Sequence, residues 1–431
     1  MADDVTAPDP DPGSGRGRHW REDLRLLRQR DLGLVLVSRF VSDLGTGMAP
    51  IALAFGVLAL PGGDATSLGL VLLCAAVPRL LFFLVGGVLA DRFDRARLMA
   101  AAEWMAAFAQ LVAAALFVTG HASVPALCVL AAVNGVAVAF FSPALTGLVP
   151  QVASDGDLQS ANALIRLSGH LATIFGTVVG GVLVATVGPG WALGVDAATF
   201  AVSAVLLSLV RSRSATSERG ASMRRDLVEG WREFTARRWV WLIVVLFSLS
   251  NMGFTSALAV LGPVRALESY GGAPGWALVL ASLSAGTVVG VVVALRVRPA
   301  RPLLVAMFAQ LFVVLPIVAI ATPWPLAVAM ACAFVAGVAI DVFEVLWATA
   351  LQQNIPREAL SRVASYDWLG SLALTPIALV VAGALAATIG LSGAIWVSAV
   401  LGAAGTLGFL DPQIRNLRAG RDGGTVEQPA A

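Results

Sequence analysis

The sequence predicts an all-α membrane protein of twelve transmembrane helices, arranged as two six-helix bundles related by a parallel pseudo-two-fold repeat. Three observations predict it. First, 58% of the 431 residues are hydrophobic and only 13% are charged, about half the charge of a soluble domain. Second, apolar runs fill the chain from 33 to 410, most of them longer than the ~20 residues a helix needs to cross the hydrocarbon. Third, a polar stretch over 211–238 divides those runs six and six.

Residues 1–32 read as a polar N-terminal tail without the apolar core of a cleavable signal, so the first span is expected to direct insertion. Spans 1 to 6 are expected over 33–59, 67–90, 98–119, 125–149, 161–187 and 190–210, the N-terminal bundle 33–210. None shows the alternation of a barrel strand, so helices are the spanning structure. The second part of the linker, "DLVEGWREFTARRWVW", reads as an amphipathic helix on the inner surface. Trp239 and Trp241 are expected to anchor span 7 at the headgroups, with Trp191 and Trp276 doing so at the outer side. Spans 7 to 12 follow over 239–262, 274–295, 303–321, 325–352, 365–388 and 391–410, the C-terminal bundle 239–410, and 411–431 is a polar tail.

Basic residues set the orientation. There is no lysine, and 25 of the 29 arginines fall on one side if both termini are cytoplasmic. Only Arg265 then lies in an outer loop, and Arg39, Arg79 and Arg166 lie within spans. The expected location is the cell membrane, with the lipid bilayer, protons and a small molecule as partners, no nucleic acid, and a monomer as the working unit. Cys74, Cys128 and Cys332 sit in apolar runs, match no metal pattern or disulfide framework, and read as buried packing residues.

The halves are related in sequence. "GGVLVATVG" at 180–188 aligns with "AGALAATIG" at 382–390, a shift of 202 residues that matches span 5 to span 11. Parallel halves around a central path are a recurrent transporter plan.

The densest knot of charge is "GGVLADRFDRAR" between spans 2 and 3. It resembles the loop signature G-x-L-a-D-R-x-G-R-R of the major facilitator superfamily through Gly87, Leu89, Ala90, Asp91, Arg92, Arg95 and Arg97, with Asp94 where glycine is usual. "SPALTGLVP", "ANALIRLSG", "DAATFAVSA" and "VLWATALQQNIPREALSRVASYDWLGSLALTPIALVVAG" follow in the expected order, so the resemblance covers nearly all of 33–410. "DRFDR" is similar to the branch of enterobactin-exporter-like and macrolide-efflux-like proteins. The resemblance implies that spans 1, 4, 7 and 10 line a central cavity. It implies that Asp91 faces the start of span 11 near Ser361 to Ser365. A carboxylate there would meet a positive helix end. Arg92, Arg95 or Arg97 would pair with Asp155 or Asp157 to close an inner gate. Gly87 reads as a close-packing residue of this gate, and Asp367 as a gate or cap residue of span 11.

Charges within spans cost roughly 2.5–3.5 kcal/mol each on insertion scales and default to function. Arg39 and Asp43 share a helix face, and with Arg79 they read as one polar cluster organising the cavity. Asp341 and Glu344 share a face of span 10, with no basic residue inside a span of the same half. Two such acids in a medium of low dielectric cannot readily both stay ionised, which suits a proton carrier or a cation site. Asp196 reads as a complement to the span 6 N-terminus, and Glu103 and Arg166 as snorkelling side chains near inner span ends, with His170 beside them.

Two positions depart from what is common among exporters of the superfamily. Ala131 stands where many carry a span 4 arginine, and Thr177 replaces the proline of G-P-x-x-G-G, leaving Gly176, Gly180 and Gly181 as helix-packing glycines. Without lysine there is no P-loop, so no ATP-driven step is available and a proton gradient is the expected energy source, with no cofactor. The expected function is proton-coupled efflux of an amphipathic small molecule. A proton-coupled importer is the alternative. A membrane enzyme is a remote one, because His19, His121 and His170 are the only histidines and no catalytic or metal-binding cluster is visible.

Overall fold

The computed structural model describes residues 29–153, 158–211, 223–296, 299–355 and 357–417. Spans 1 to 6 are Arg30–Leu58, Ala65–Arg92, Arg95–Val118, Val124–Val152, Leu158–Thr186 and Pro189–Ser208. Asp64 caps span 2 by accepting from the Ser67 backbone N–H, and Asp94 caps span 3 by accepting from that of Arg97. A capping role explains an acid where the signature has glycine.

The second half is less regular, and proline explains most of it. Span 7 runs from Arg238 to Thr255, widens into a π turn at Ser256–Leu261, and continues over Gly262–Ser269. Pro263 cannot donate to the carbonyl four residues back, which favours the wider ring. Span 8 is Ala273–Arg296. Span 9 breaks between Pro302–Val313 and Leu315–Ala321, where Pro316 opens the second piece. Span 10 is Leu326–Asn354. Span 11 begins at Arg357, breaks after Leu372 and resumes at Thr375 beside Pro376. It meets span 12 at Gly390, whose φ of 78° turns the chain without a loop. The continuous apolar run Val363–Leu410 therefore holds 48 residues. At ~1.5 Å per residue that is twice the bilayer, so it counts as two spans and the total is twelve.

Several expectations are corrected. Span 7 extends seven residues beyond its expected end, so Arg265 lies in a helix. Arg265 is buried, paired with Glu268 and donating to the Ser392 hydroxyl at 2.6 Å. Trp276 is 1% exposed and belongs to the core; Trp239 is buried edge-on against Trp347. Trp191 and Trp241 remain exposed, where headgroup contact is available. The linker carries a helix, Met223–Ala236, whose Phe234 is buried and whose Trp231 packs against Tyr366 of span 11.

The core divides unequally along the membrane normal. At the end away from the termini a single cluster joins both halves, including Ile51, Leu68 and Leu193 from the first and Leu261, Trp276 and Ile395 from the second. At the end of the termini the core separates. Trp239, Phe343 and Ile414 belong to a cluster of the second half alone, and Val35, Met99 and Leu148 to one of the first. The seams between halves are spans 2 and 11 and spans 5 and 8. The molecule is thus sealed at one end and cleft at the other.

Candidate functional site: a charged cleft between the halves

Span 1 supplies the first charges. Arg39 and Asp43 form an i,i+4 ion pair at 2.5 Å. The Arg39 guanidinium also lies over the Phe141 ring of span 4, 5.0 Å from its centroid. Span 5 makes room for the acid at Gly169, where a Cβ would stand 2.8 Å from Asp43 Oδ2. Further along, Gly176 meets the backbone of Leu44, and a Cβ on Gly180 would come within 2.8 Å of Met48 Cα. Thr177, in place of proline, donates its hydroxyl to the Gly47 carbonyl at 3.2 Å. Span 5 is therefore pressed against span 1 by small residues.

Arg79 does not join the pair. It lies between the stripe of span 2 that meets span 4 (Ala75, Gly86) and the stripe that meets span 11 (Gly69, Phe83), so it faces the cleft. No hydrogen bond or ion pair to it is found among the described residues.

Span 10 supplies the opposing acids. Asp341 packs beside Gly290 of span 8, and both Asp341 and Glu344 are within electrostatic reach of Arg166 on span 5, Asp341 also of His170. The positive charges near these acids thus come from the first half. Arg166 is not merely snorkelling. Sequence spacing gave no sign of this meeting, because the residues are far apart in the chain and on different halves.

Glu344 also opens into a cavity of about 260 Å³ walled by spans 7, 9, 10 and 11. Its apolar wall includes Phe247 stacked on Phe343, with centroids 4.9 Å apart. Its polar points besides Glu344 are Ser250, Asn251, Gln310, Asp367 and Ser371. Asp367 is corrected here. Span 11 starts at Arg357, so Asp367 is nearly three turns inside, and it accepts a 3.0 Å hydrogen bond from the Trp347 indole. It is a cavity residue and not a cap.

The loop motif is built differently from its expected form. Arg95 donates to the Gly147 carbonyl at 2.6 Å and to the Ala90 carbonyl at 3.2 Å, tying spans 2 and 4 within one half. Arg92 and Arg97 are exposed. The close helix approach falls on Gly86, against Ala139 of span 4, while Gly87 faces open space. The Asp91 side chain, Asp155, Asp157, and the side chains of 358–362 lie outside the described residues.

Two acids inside the first bundle differ from their expected roles. Glu103 is buried and accepts from the Ser42 hydroxyl at 2.9 Å, so it does not reach the headgroups. Asp196 is fully buried and accepts from the Gln110 amide at 2.7 Å, two turns inside its helix and no cap. Among the described residues no three His, Cys, Asp or Glu side chains gather as metal ligands.

Two bundles of six, joined at glycine-lined seams and parted around a charged cleft, are a transporter's architecture, and the comparisons agree. The profile of the Major Facilitator Superfamily matches residues 35–367. The chain belongs to that superfamily. It is 25% identical to the enterobactin exporter EntS of Citrobacter koseri over 350 residues, 80% of this chain and 82% of the relative. It is 26% identical to the multidrug efflux pump Tap of Mycolicibacterium fortuitum over 380 residues, 83% and 90% of the two chains. Among solved structures, the nucleoside transporter NupG superposes with a TM-score of 0.70 at 12% identity, covering 90% of this chain and 99% of that one. A bacterial homologue of the iron transporter ferroportin in an inward-facing state gives 0.70 at 15% identity, covering 90% and 98%. This chain is a multi-pass secondary transporter of the superfamily and not an enzyme.

Proposed function

We propose that this transporter exports an amphipathic small molecule (a drug, a secondary metabolite or a siderophore) from the cell in exchange for protons. The observation that carries the reading is that Asp341 and Glu344 of the second half lie within electrostatic reach of Arg166 of the first, and Asp341 also of His170. Charges on opposite halves attract while the halves are close and separate when the cleft opens. Protonation of the acids removes the attraction. A proton thus biases one arrangement over the other, which is what coupling requires. The aromatic cavity beside Glu344 supports an amphipathic substrate, since such walls bind by shape and apolar area. The relatives named as an exporter and an efflux pump support the direction.

The reading includes a cell-membrane location, cytoplasmic termini and a single chain as the working unit. In reconstituted vesicles with an imposed pH gradient, Asp341→Asn combined with Glu344→Gln should abolish uphill transport of a lipophilic dye yet preserve its passive exchange. Undiminished uphill transport would remove this pair from the coupling path. Inverted vesicles should accumulate the dye; accumulation by right-side-out vesicles would favour the importer. A cysteine replacing Ser217 should resist an impermeant thiol reagent added outside intact cells.

A further inference from the structure

Glu103 and Asp196 have no place in the cleft chemistry above, although each costs several kcal/mol to bury as an unpaired anion. They are 3% and 0% exposed. Their hydrogen-bond donors, Ser42 and Gln110, are both neutral. Each acid also keeps a buried oxygen with no hydrogen-bond partner, Glu103 Oε2 and Asp196 Oδ1, and the one further donor beside Glu103, the buried Ser203 hydroxyl, is neutral too.

The surroundings say what is missing. Around Glu103, span 1 brings Arg39 and Asp43, already paired with each other. Span 6 brings Asp196, within electrostatic reach of Glu103. Span 4 carries no charged side chain. Span 5 reaches only as far as Asp43, through His170. No cation is within hydrogen-bond distance of either acid among the described residues. Space is short too, because a Cβ on Gly45 of span 1 would collide with Thr199 Oγ1 and Asp196 Oδ1. A hydrated ion does not fit beside Asp196. A proton does: on a free carboxyl oxygen it removes the charge and turns an unmatched acceptor into a donor.

We propose that Glu103 and Asp196 form an internal protonation site of the first half, each carboxyl holding a proton on its unpartnered oxygen. Ser42 and Asp43 are neighbours on span 1 that point opposite ways, Ser42 to Glu103 and Asp43 to span 5. Asp43 Oδ2 is itself buried and Oδ1 stays with Arg39, so that ion pair stands apart from the site. With one proton on each, Glu103 and Asp196 go from a net charge of −2 to zero.

The test uses the purified full chain in lipid without substrate, so it stands or falls separately from the direction and coupling argued above. Infrared difference spectra across a pH titration should show protonated-carboxyl bands that persist at neutral pH. Glu103→Gln and Asp196→Asn should each delete one band. Ser42→Ala, a milder change, should shift the frequency of the Glu103 band because it removes that carboxyl's donor. Bands that survive both acid variants, or no protonated band at neutral pH, would overturn the site. Loss of the bands on adding sodium would overturn it in favour of a cation.

Discussion

Gly383 of span 11 lies so close to Thr66 of span 2 that a Cβ on it would stand 2.5 Å from the Thr66 Cα. Its repeat partner Gly181, on span 5, meets Ala277 of span 8 in the same way. Both contacts join the two halves at the sealed end, each between a late residue of one span and an early residue of another. The repeat noticed in the sequence is thus a pair of equivalent seals.

Gly383→Val should break one seal. Overpacking a tight contact costs about 1–3 kcal/mol, and each ~1.4 kcal/mol changes an equilibrium about tenfold. The variant should favour arrangements opened at the sealed end. A cysteine replacing Leu379, buried there in the parent, should become reactive toward an impermeant thiol reagent from that side. Equal protection in both backgrounds would refute the assignment.

Arg95→Ala should lower stability without touching the cleft. It removes a charged hydrogen bond to the Gly147 carbonyl, a class worth about 1.5–3 kcal/mol. Arg95→Lys should recover only part, since one ammonium cannot serve both Gly147 and Ala90 with the same fork geometry. Thermal unfolding in detergent gives the order parent, Lys, Ala.

Asp43→Ala should leave Arg39 partly buried without its carboxylate. The pair is neither exposed nor dry, so the loss should lie between the ~0–1 kcal/mol of a surface pair and the ~3–5 kcal/mol of a buried one. Arg39→Ala on top of it should cost less than the sum of the singles. Strict additivity in a double-mutant cycle would mean the two side chains do not interact.

Asp64 gives a pH dependence with a definite sign. Partial burial pushes its carboxyl up, but hydrogen bonds from the Ser67 N–H and hydroxyl outweigh this and hold it below the ordinary carboxylate value. Its contribution to span 2 is therefore present above the unfolded value of ~3.9 and is lost as pH falls through the lower folded value. Asp64→Ala should cost about 0.5–2 kcal/mol near neutrality. The gap from the parent should narrow in strong acid, as read by unfolding midpoints at several pH values.

Depth along a helix was legible in this sequence, and direction around it was not. Run length and arginine placement gave twelve spans, and i,i+4 spacing gave Arg39 with Asp43. Glu103, Asp196 and Arg166 were misread because a charge a few turns from a span end looks alike whether it faces lipid, its own bundle or the other half. The end of span 7 was misread because "GPVRALES" has the polarity of a loop, whereas its arginine is satisfied by Glu268 and by Ser392 far along the chain. Breaks in spans 9 and 11 were signalled by Pro316 and Pro376 but not the angle each imposes.

The π turn at Ser256–Leu261 sets the two ends of span 7 out of phase. One extra residue in a turn displaces everything beyond it by roughly 100° around the axis. Before the turn, Val244, Phe247, Asn251 and Phe254 form the wall of the cavity. No residue of span 7 beyond Phe254 lines it. Leu258 and Leu261 within the turn and Ala266 after it join the sealed core, and the Ser256 hydroxyl at the turn's start donates to the Ala378 carbonyl of span 11 at 3.1 Å. One continuous rod therefore behaves as two screws cut with different starts, its wet thread engaging the cavity and its dry thread engaging the seal.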